Sequence, residues 1–248
     1  MRPTTCVRDV AEPPRLCGLC PRLVAFREQN RAKAPEWFNG AVPSFGSESA
    51  RLLIVGLAPG LQGANRTGRP FTGDHAGLLL YETLAAFDLA KGSYDARSDD
   101  GLTLRGCMIT NAVRCVPPEN KPTPAEIKTC GGFLSARIAA LPSLEAIVAL
   151  GRIAHDSTLS ALGQRRSQFP FAHGARHELA SGLVLFDSFH CSRYNTNTGK
   201  LTPEMFRDVF AAVRVMLGDA APQAPRSKPS GKASGKAPVG ASRTRAAR

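Results

Sequence analysis

The sequence lacks several features that would place it in common protein classes. It has no run of about 18 apolar residues, so no membrane-spanning helix and no membrane partner are expected. Residues 1–15 lack the apolar stretch of a secretory signal peptide, which predicts a cytoplasmic protein. There are no internal repeats, and neither a Walker A pattern nor G-x-G-x-x-G occurs, which disfavours a nucleotide-cofactor site.

Positive charge is abundant and unevenly distributed. The chain has 248 residues and a net charge of +12. Residues 219–248 hold seven Lys or Arg and one acidic residue, so half of the net charge lies there. This Ala-, Pro-, Ser- and Gly-rich segment cannot bury enough apolar surface to fold. It is either a solvated extension or a segment attracted to nucleic-acid phosphates through counterion release. We predict one domain over 1–218 and a disordered basic tail over 219–248.

The body of the chain alternates between strand-like and helix-like segments. Apolar runs predict strands at 51–56, 107–113, 144–150 and 183–188, and helical periodicity predicts helices at 77–87, 124–141, 151–162 and 202–217. Such alternation predicts an α/β fold, a three-layer αβα arrangement with a central, mostly parallel four-stranded sheet. Ligands bind such sheets beyond the carboxyl ends of the strands. We therefore expect the site in the loops that follow Val55, Thr110, Leu150 and Ser188.

Four cysteines form a candidate metal site: Cys17, Cys20, Cys115 and Cys130. The first two make a C-x2-C pair, and four thiolates suit either zinc or an iron–sulfur cluster. The alternative is that the last two are buried small hydrophobic residues. Cys6 and Cys107 are not expected to be ligands, and seven cysteines in a cytoplasmic chain do not predict a disulfide framework.

The loop after the first strand combines close-approach glycines with an aromatic ring. Its turn is formed by Gly56, Leu57, Ala58, Pro59 and Gly60. Glycines let a backbone approach a ligand closely, and Phe71 offers a face for stacking. Asp74 opens the following helix, and on sequence alone it is best interpreted as a helix cap.

Polar residues follow two other strands. Asn111 can read a base by donating and accepting at once, or it can simply form a turn. His190 is followed by a polar, basic and aromatic loop. A histidine at a strand end can donate to a developing anion, although a lone histidine is more often a packed surface residue.

Three motifs occur in one order: GLAPG at 56–60, NRTGRPFTGD at 65–74 and HCSRYN at 190–195. Together with the cysteines they resemble the uracil-DNA glycosylase superfamily, most closely its family 5, over residues 17 to 217. Families 1 and 4 carry Asp, Asn or Glu in the first motif, and the absence of these residues from GLAPG is the mark of family 5. One departure is Cys191, which stands where family members generally have proline.

The resemblance implies roles for individual residues. Phe71 would stack on an extruded base, Asn111 would hydrogen-bond its polar edge, and His190 would donate to the base O2. Asp74 would position or activate water, or steady the sugar cation. A structural [4Fe–4S] cluster would be held by Cys17, Cys20, Cys115 and Cys130. The minor-groove loop would contain the DNA-binding residues Ser192, Arg193, Tyr194 and Asn195.

The implied activity is that of a monofunctional DNA glycosylase in base excision repair. It would excise uracil, and also hypoxanthine and xanthine, by a dissociative mechanism, and the chain would act as a monomer on DNA containing deaminated bases. Two other hypotheses stay open at this point. The chain could be a non-catalytic, metal-stabilised nucleic-acid-binding protein, or a redox protein that uses the cluster for electron transfer.

Overall fold

The computed structural model describes residues 11–218, so the predicted tail and residues 1–10, with Cys6, lie outside the described residues. The helices are α1 Pro21–Lys33, α2 Ala64–Thr67, α3 His75–Ala86, α4 Pro124–Ala139, α5 Arg152–Ala161, α6 Arg193–Asn197 and α7 Pro203–Met216. The strands are β1 Phe45–Gly46, β2 Leu52–Gly56, β3 Ala90–Lys91, β4 Thr103–Leu104, β5 Cys107–Asn111, β6 Ala146–Leu150, β7 Arg176–Glu178 and β8 Val184–Ser188. No helix between residues 11 and 218 has the length and apolar composition needed to cross a bilayer.

The central sheet has six strands in the order β1-β5-β2-β6-β8-β7. Its four inner strands are parallel and correspond to the four strands predicted from the sequence. The outer strands β1 and β7 pair antiparallel with β5 and β8, so the prediction of four strands undercounts the sheet. These edges have two and three residues and include a glycine or charged side chains, too short to produce an alternating pattern.

Helices cover both faces of the sheet, which confirms the predicted three-layer αβα arrangement. Every residue of the four inner strands is buried, as expected for strands packed on both faces. Leu80 of α3 and Phe210 of α7 pack on one face. Leu134 of α4 and Ala154 of α5 pack on the other.

The helix starts follow local capping chemistry. The Thr202 hydroxyl accepts a hydrogen bond from the Met205 amide at 3.2 Å, as its position before Pro203 predicts. Helix α3 begins two residues before the predicted start, because Asp74 caps it directly. Helix α1 was not predicted, since only Leu23 among its apolar residues is buried.

Candidate active site

A cavity of about 560 Å³ lies at the carboxyl ends of the inner strands. The loops after β2, β5 and β8 line it, as predicted. The predicted loop after Leu150 supplies none of the lining residues; Gly151 lies behind His190, where a Cβ on Gly151 would be 3.4 Å from the Cβ of His190. The lining consists of residues 57–63, Phe71, Asp74, His75, Ala76, Asn111, Asn120, His190, Ser192 and Arg193.

Two predicted base-contacting side chains meet over the last residue of β2. A Cβ on Gly56 would lie 2.6 Å from Cζ of Phe71 and would collide with Oδ1 of Asn111, so only glycine fits here. Asn111 is 2 % exposed, and within residues 11–218 its Oδ1 has no hydrogen-bond partner. A buried acceptor without a partner costs about 1–3 kcal/mol. A ligand with an N–H group beside the Phe71 ring would remove that cost.

Phe71 adopts a backbone conformation that the surrounding loop has to enforce. Its φ is +54°, in the left-handed region that bulky residues rarely occupy. The Tyr94 hydroxyl donates to the Phe71 carbonyl at 3.1 Å, and the Tyr81 hydroxyl donates to the Pro70 carbonyl at 2.7 Å. A Cβ on Gly77 would overlap the Phe71 carbonyl oxygen, so the first turn of α3 needs glycine.

A buried ion pair backs these two tyrosines. The Arg69 guanidinium donates to both carboxylate oxygens of Asp100 at 2.8 and 2.7 Å. It also lies 5.3 Å from the ring centroid of Tyr81 and 5.8 Å from that of Tyr94. The hydrogen bond from Arg69 lowers the pKa of Asp100. The pair therefore ties the segment between β3 and β4 to the Phe71 loop.

One carboxylate oxygen of Asp74 caps the start of α3, and the other faces the cavity. Its Oδ1 accepts from the Gly77 amide at 3.2 Å, so it is the helix cap suggested by the sequence. Its Oδ2 faces the glycine-rich turn, where a Cβ on Gly60 would come within 3.0 Å. Burial raises the pKa of Asp74, and this outweighs the hydrogen bonds from the amides of Gly77 and Ala76. The second oxygen is thus available to water or to a sugar.

His190 lies beside the Phe71 ring and lines the same cavity as Asp74. The two ring centroids are 5.9 Å apart with an interplanar angle of 27°. Burial lowers the pKa of His190 to about 4, so the imidazole is neutral near pH 7. A neutral imidazole still donates one N–H. The side-chain amide of Asn195 donates to the His190 carbonyl at 2.8 Å and fixes the backbone there.

The segment predicted to bind DNA forms the short helix α6. Ser192 caps it by accepting from the Asn195 amide at 3.4 Å. Arg193 lines the cavity, and Tyr194 is 73 % exposed beside it. Cys191, the departure from the family motif, is fully buried and donates to the Ala76 carbonyl at 3.5 Å. A thiol in that position therefore anchors the loop to α3.

The four predicted metal-ligand cysteines share one small apolar cavity: Cys17, Cys20, Cys115 and Cys130. The Arg114 amide donates to the Cys130 sulfur at 3.3 Å, a contact that suits a thiolate. Burial raises the pKa of the Cys130 thiol to about 11 and that of Cys115 to about 12. Binding of a metal would have to compensate for the free-energy cost of burying the charged thiolates.

Cys107 does not line the cavity that the four candidate ligands share. Cys107 is buried in β5 and donates to the Leu89 carbonyl at 3.3 Å, away from the candidate ligands. The six described cysteines are all free thiols.

Sequence reasoning missed several residues of the cavity. His75 lines it, and its Nε2 lies 3.0 Å from the Thr196 hydroxyl, which connects α3 to α6. Asn120 lines it from a 3₁₀ turn with a φ of +57°. The position of Asn120 shortly after the second predicted strand was the available signal.

Comparison with known proteins supports the family resemblance that the sequence motifs indicate. Residues 43–214 match the family model of the uracil DNA glycosylase superfamily. A type-5 uracil-DNA glycosylase of Thermus thermophilus is 47 % identical over 208 residues, covering 82 % of this chain and 94 % of the relative. A type-5 enzyme of Mycobacterium bovis is 42 % identical, covering 82 % of this chain and 79 % of the relative. One of Pyrobaculum aerophilum is 38 % identical, covering 78 % of this chain and 86 % of the relative. The chain therefore belongs to the uracil-DNA glycosylase superfamily, and within it to the type-5 group.

Proposed function

We propose that this chain excises uracil from DNA by hydrolysing the N-glycosidic bond, as a monofunctional glycosylase in base excision repair. The observation that carries the proposal is the unpartnered, buried Oδ1 of Asn111 beside the Phe71 ring. Uracil presents an N–H donor on its polar edge and a flat face, and this pair of side chains is complementary to both. The cavity volume of about 560 Å³ also leaves room for a purine, so hypoxanthine and xanthine are proposed as further substrates.

The reaction begins with extrusion of the base. A glycosylase cannot reach its target inside the stacked duplex, and flipping costs a few kcal/mol. Arg193 at the cavity rim would contact a phosphate, and the exposed ring of Tyr194 would fill the space that the base leaves. The flipped base would lie on Phe71 with its polar edge towards Asn111.

Bond cleavage then separates an anionic base from a cationic sugar. The 56–60 turn supplies no carboxylate or amide side chain, so we infer a dissociative path. His190 would donate its N–H to the base O2 as negative charge develops there. One such donor in a preorganised site is worth about 2.7–4 kcal/mol. The cavity-facing oxygen of Asp74 would stabilise the sugar cation or orient water.

The four cysteines would hold a structural [4Fe–4S] cluster. Within residues 11–218, no three cysteine sulfurs lie within 4.8 Å of one another. A single tetrahedral zinc ion with Zn–S bonds of about 2.3 Å would bring its sulfurs to about 3.8 Å, so a larger group suits the spacing. The buried Arg27 and Arg114 supply positive charge near these thiolates. When bound, the cluster would tie the N-terminal segment to the body.

We also propose a monomer located in the cytosol, where thiols stay reduced.

The test is excision from a uracil-containing duplex, with alkali used to cleave the resulting abasic sites. We expect wild-type protein to give abasic product, and we expect His190→Ala and Asp74→Asn to lower the single-turnover rate at least tenfold. Asp74→Asn is the sharper variant, because asparagine preserves the helix cap and removes only the charge. DNA binding and melting temperature serve as controls.

Absence of abasic product together with salt-dependent DNA binding would replace the proposal by the non-catalytic alternative. Normal rates in both variants would remove the roles of His190 and Asp74. Absorbance near 400 nm with bound iron would support the cluster, whereas bound zinc would overturn it.

A further inference from the structure

A second group of titratable side chains lies behind the proposed active site. It consists of His155 on α5, His177 on β7 and Asp187 on β8. The imidazole of His155 is 1 % exposed and the carboxylate of Asp187 is fully buried. Asp187 stands three residues before His190 on the same strand and its following loop. No step of the proposed mechanism uses this group.

The hydrogen bonds of His155 fix the number of protons in the cluster. Its Nε2 lies 2.9 Å from the Phe169 carbonyl oxygen, which only accepts, so Nε2 carries a proton. Its Nδ1 lies 2.7 Å from Oδ1 of Asp187, and that contact also requires a proton. His177 donates from Nε2 to the other carboxylate oxygen at 3.0 Å. The cluster therefore holds one proton more than two neutral histidines and an ionised aspartate would.

The buried carboxylate of Asp187 favours this protonation state. With the extra proton on His155, the cluster is neutral overall, since it then consists of an imidazolium, a carboxylate and a neutral imidazole. Without it, a buried carboxylate would face the lone pair of Nδ1 with no counter-charge, which is costly in a low-dielectric interior.

A proton explains the 2.7 Å contact better than a metal ion does. Zinc bonds to nitrogen and oxygen are about 2.0–2.1 Å long, so a tetrahedral ion would hold its two ligand atoms about 3.3 Å apart. The observed separation between Nδ1 of His155 and Oδ1 of Asp187 is that of a charge-assisted hydrogen bond.

The groups around His155 set the direction of its titration. Burial lowers its pKa, but the hydrogen bond and charge of Asp187, the Phe169 carbonyl and the charge of Asp156 together raise it, so the net shift is upward. On the elements that carry the cluster, Arg152 of α5 lies over the Phe171 ring at 5.3 Å, and Arg176 and Glu178 of β7 pair with each other. Because the folded-state pKa is raised, the stabilisation is complete below about pH 6.5 and is lost as pH rises through the folded value.

Backbone contacts connect the cluster to His190. The Gly151 amide donates to the Ser188 carbonyl at 2.8 Å, and the His155 amide donates to the Gly151 carbonyl at 3.1 Å. Gly151 has a φ of +95° and packs against the Cβ of His190. Asp187 thus clamps the first turn of α5 to the end of β8 at the point where His190 is placed.

We propose that His155, Asp187 and His177 hold one buried proton that fixes this junction, so that His155 and Asp187 are positioning residues for His190. The proposal rests on the proposed glycosylase function. Loss of the proton at alkaline pH is expected to weaken the clamp and slow excision without weakening DNA binding.

Asp187→Asn distinguishes a proton from simple packing. An asparagine amide can donate to the unprotonated Nδ1 of His155 and accept from Nε2 of His177, so the variant satisfies the cluster without the extra proton. We expect the wild-type single-turnover rate to fall at least fivefold between pH 7 and pH 10. The rate of Asp187→Asn should stay within threefold over that range. Asp156→Asn is the matched control, because it removes a nearby charge and leaves the cluster intact, so it should keep the alkaline decline.

A second measurement does not depend on activity. In full-length protein labelled with ¹⁵N-histidine, we expect one imidazole to remain doubly protonated at pH 8, and we expect that signal to become neutral in Asp187→Asn. A His155 signal that is neutral or metal-bound in the wild type would overturn the proposal, as would an equal alkaline decline in Asp187→Asn. Failure of excision at every pH would instead remove the glycosylase function, while the imidazole signals would still report the proton.

Discussion

The proposed excision pocket is held together differently from the cysteine corner, the region formed by helix α1 and the four candidate ligands Cys17, Cys20, Cys115 and Cys130. In the pocket, loops are fixed by the protein's own hydrogen bonds, such as those from Tyr94 to Phe71 and from Asn195 to His190. In the corner, α1 buries one apolar side chain, Leu23, together with the polar Arg27 and Asn30. The pocket is therefore preorganised without any added group, whereas the corner has little core of its own.

This difference suggests a division of roles between the two regions. Catalysis requires side chains that are already placed before the base arrives, and buried networks achieve this. Attachment of the N-terminal segment requires only a strong local cross-link, which four thiolates on a cluster would provide. Polar contacts assist it, as Arg22 donates to both carboxylate oxygens of Glu126 at 2.8 and 2.7 Å.

The largest effect is expected from breaking the corner. Cys130→Ser replaces a soft ligand and should abolish bound iron and the absorbance near 400 nm. The melting temperature should fall by roughly 10 °C or more, corresponding to about 3–5 kcal/mol for a chain of this size. Iron analysis and thermal unfolding measure the two outcomes.

Cys107→Ala is the matched control for that prediction. This thiol is also buried, but it lies in β5 and does not line the cavity of the candidate ligands, so iron content should be unchanged and the stability loss should be about 1 kcal/mol. If Cys130→Ser retained full iron content and stability, the corner would be independent of a cluster and the contrast with the pocket would disappear.

A smaller effect is expected from loosening the pocket. Tyr94→Phe removes the hydroxyl that donates to the Phe71 carbonyl and accepts from the Gly73 amide at 3.2 Å. The strained Phe71 backbone then loses about 1 kcal/mol of support, so single-turnover excision should slow about three- to tenfold with iron content unchanged. Tyr81→Phe releases the Pro70 carbonyl and the Thr72 hydroxyl but no atom of Phe71, so it should have the weaker effect of the two. Equal rates in wild type and both variants would show that the loop is fixed by other contacts.

The sequence predicts most of the pocket because parallel strands bring their carboxyl ends to one edge. Phe71, Asn111 and His190 follow different strands, yet the topology alone requires their loops to be neighbours. Apolar runs likewise predict the four inner strands, because burial on both faces confines polar residues to the carboxyl ends of β5 and β8.

The remainder depends on packing that no local pattern encodes. His155 and Asp187 are 32 residues apart and meet only because α5 packs against the sheet beside β8. Tyr94 reaches Phe71 from a segment between two strands of two residues each. Helix α1 is too polar to predict by periodicity, because its attachment relies on arginines and thiols.

The most direct test of the preorganised pocket is the single-turnover excision of uracil by Asn111→Ala. If the unpartnered amide oxygen reads the flipped base, the rate should fall at least tenfold while affinity for the uracil duplex changes less than twofold. A wild-type rate in this variant, or a loss confined to DNA affinity, would contradict the assignment of this cavity as the base-binding site.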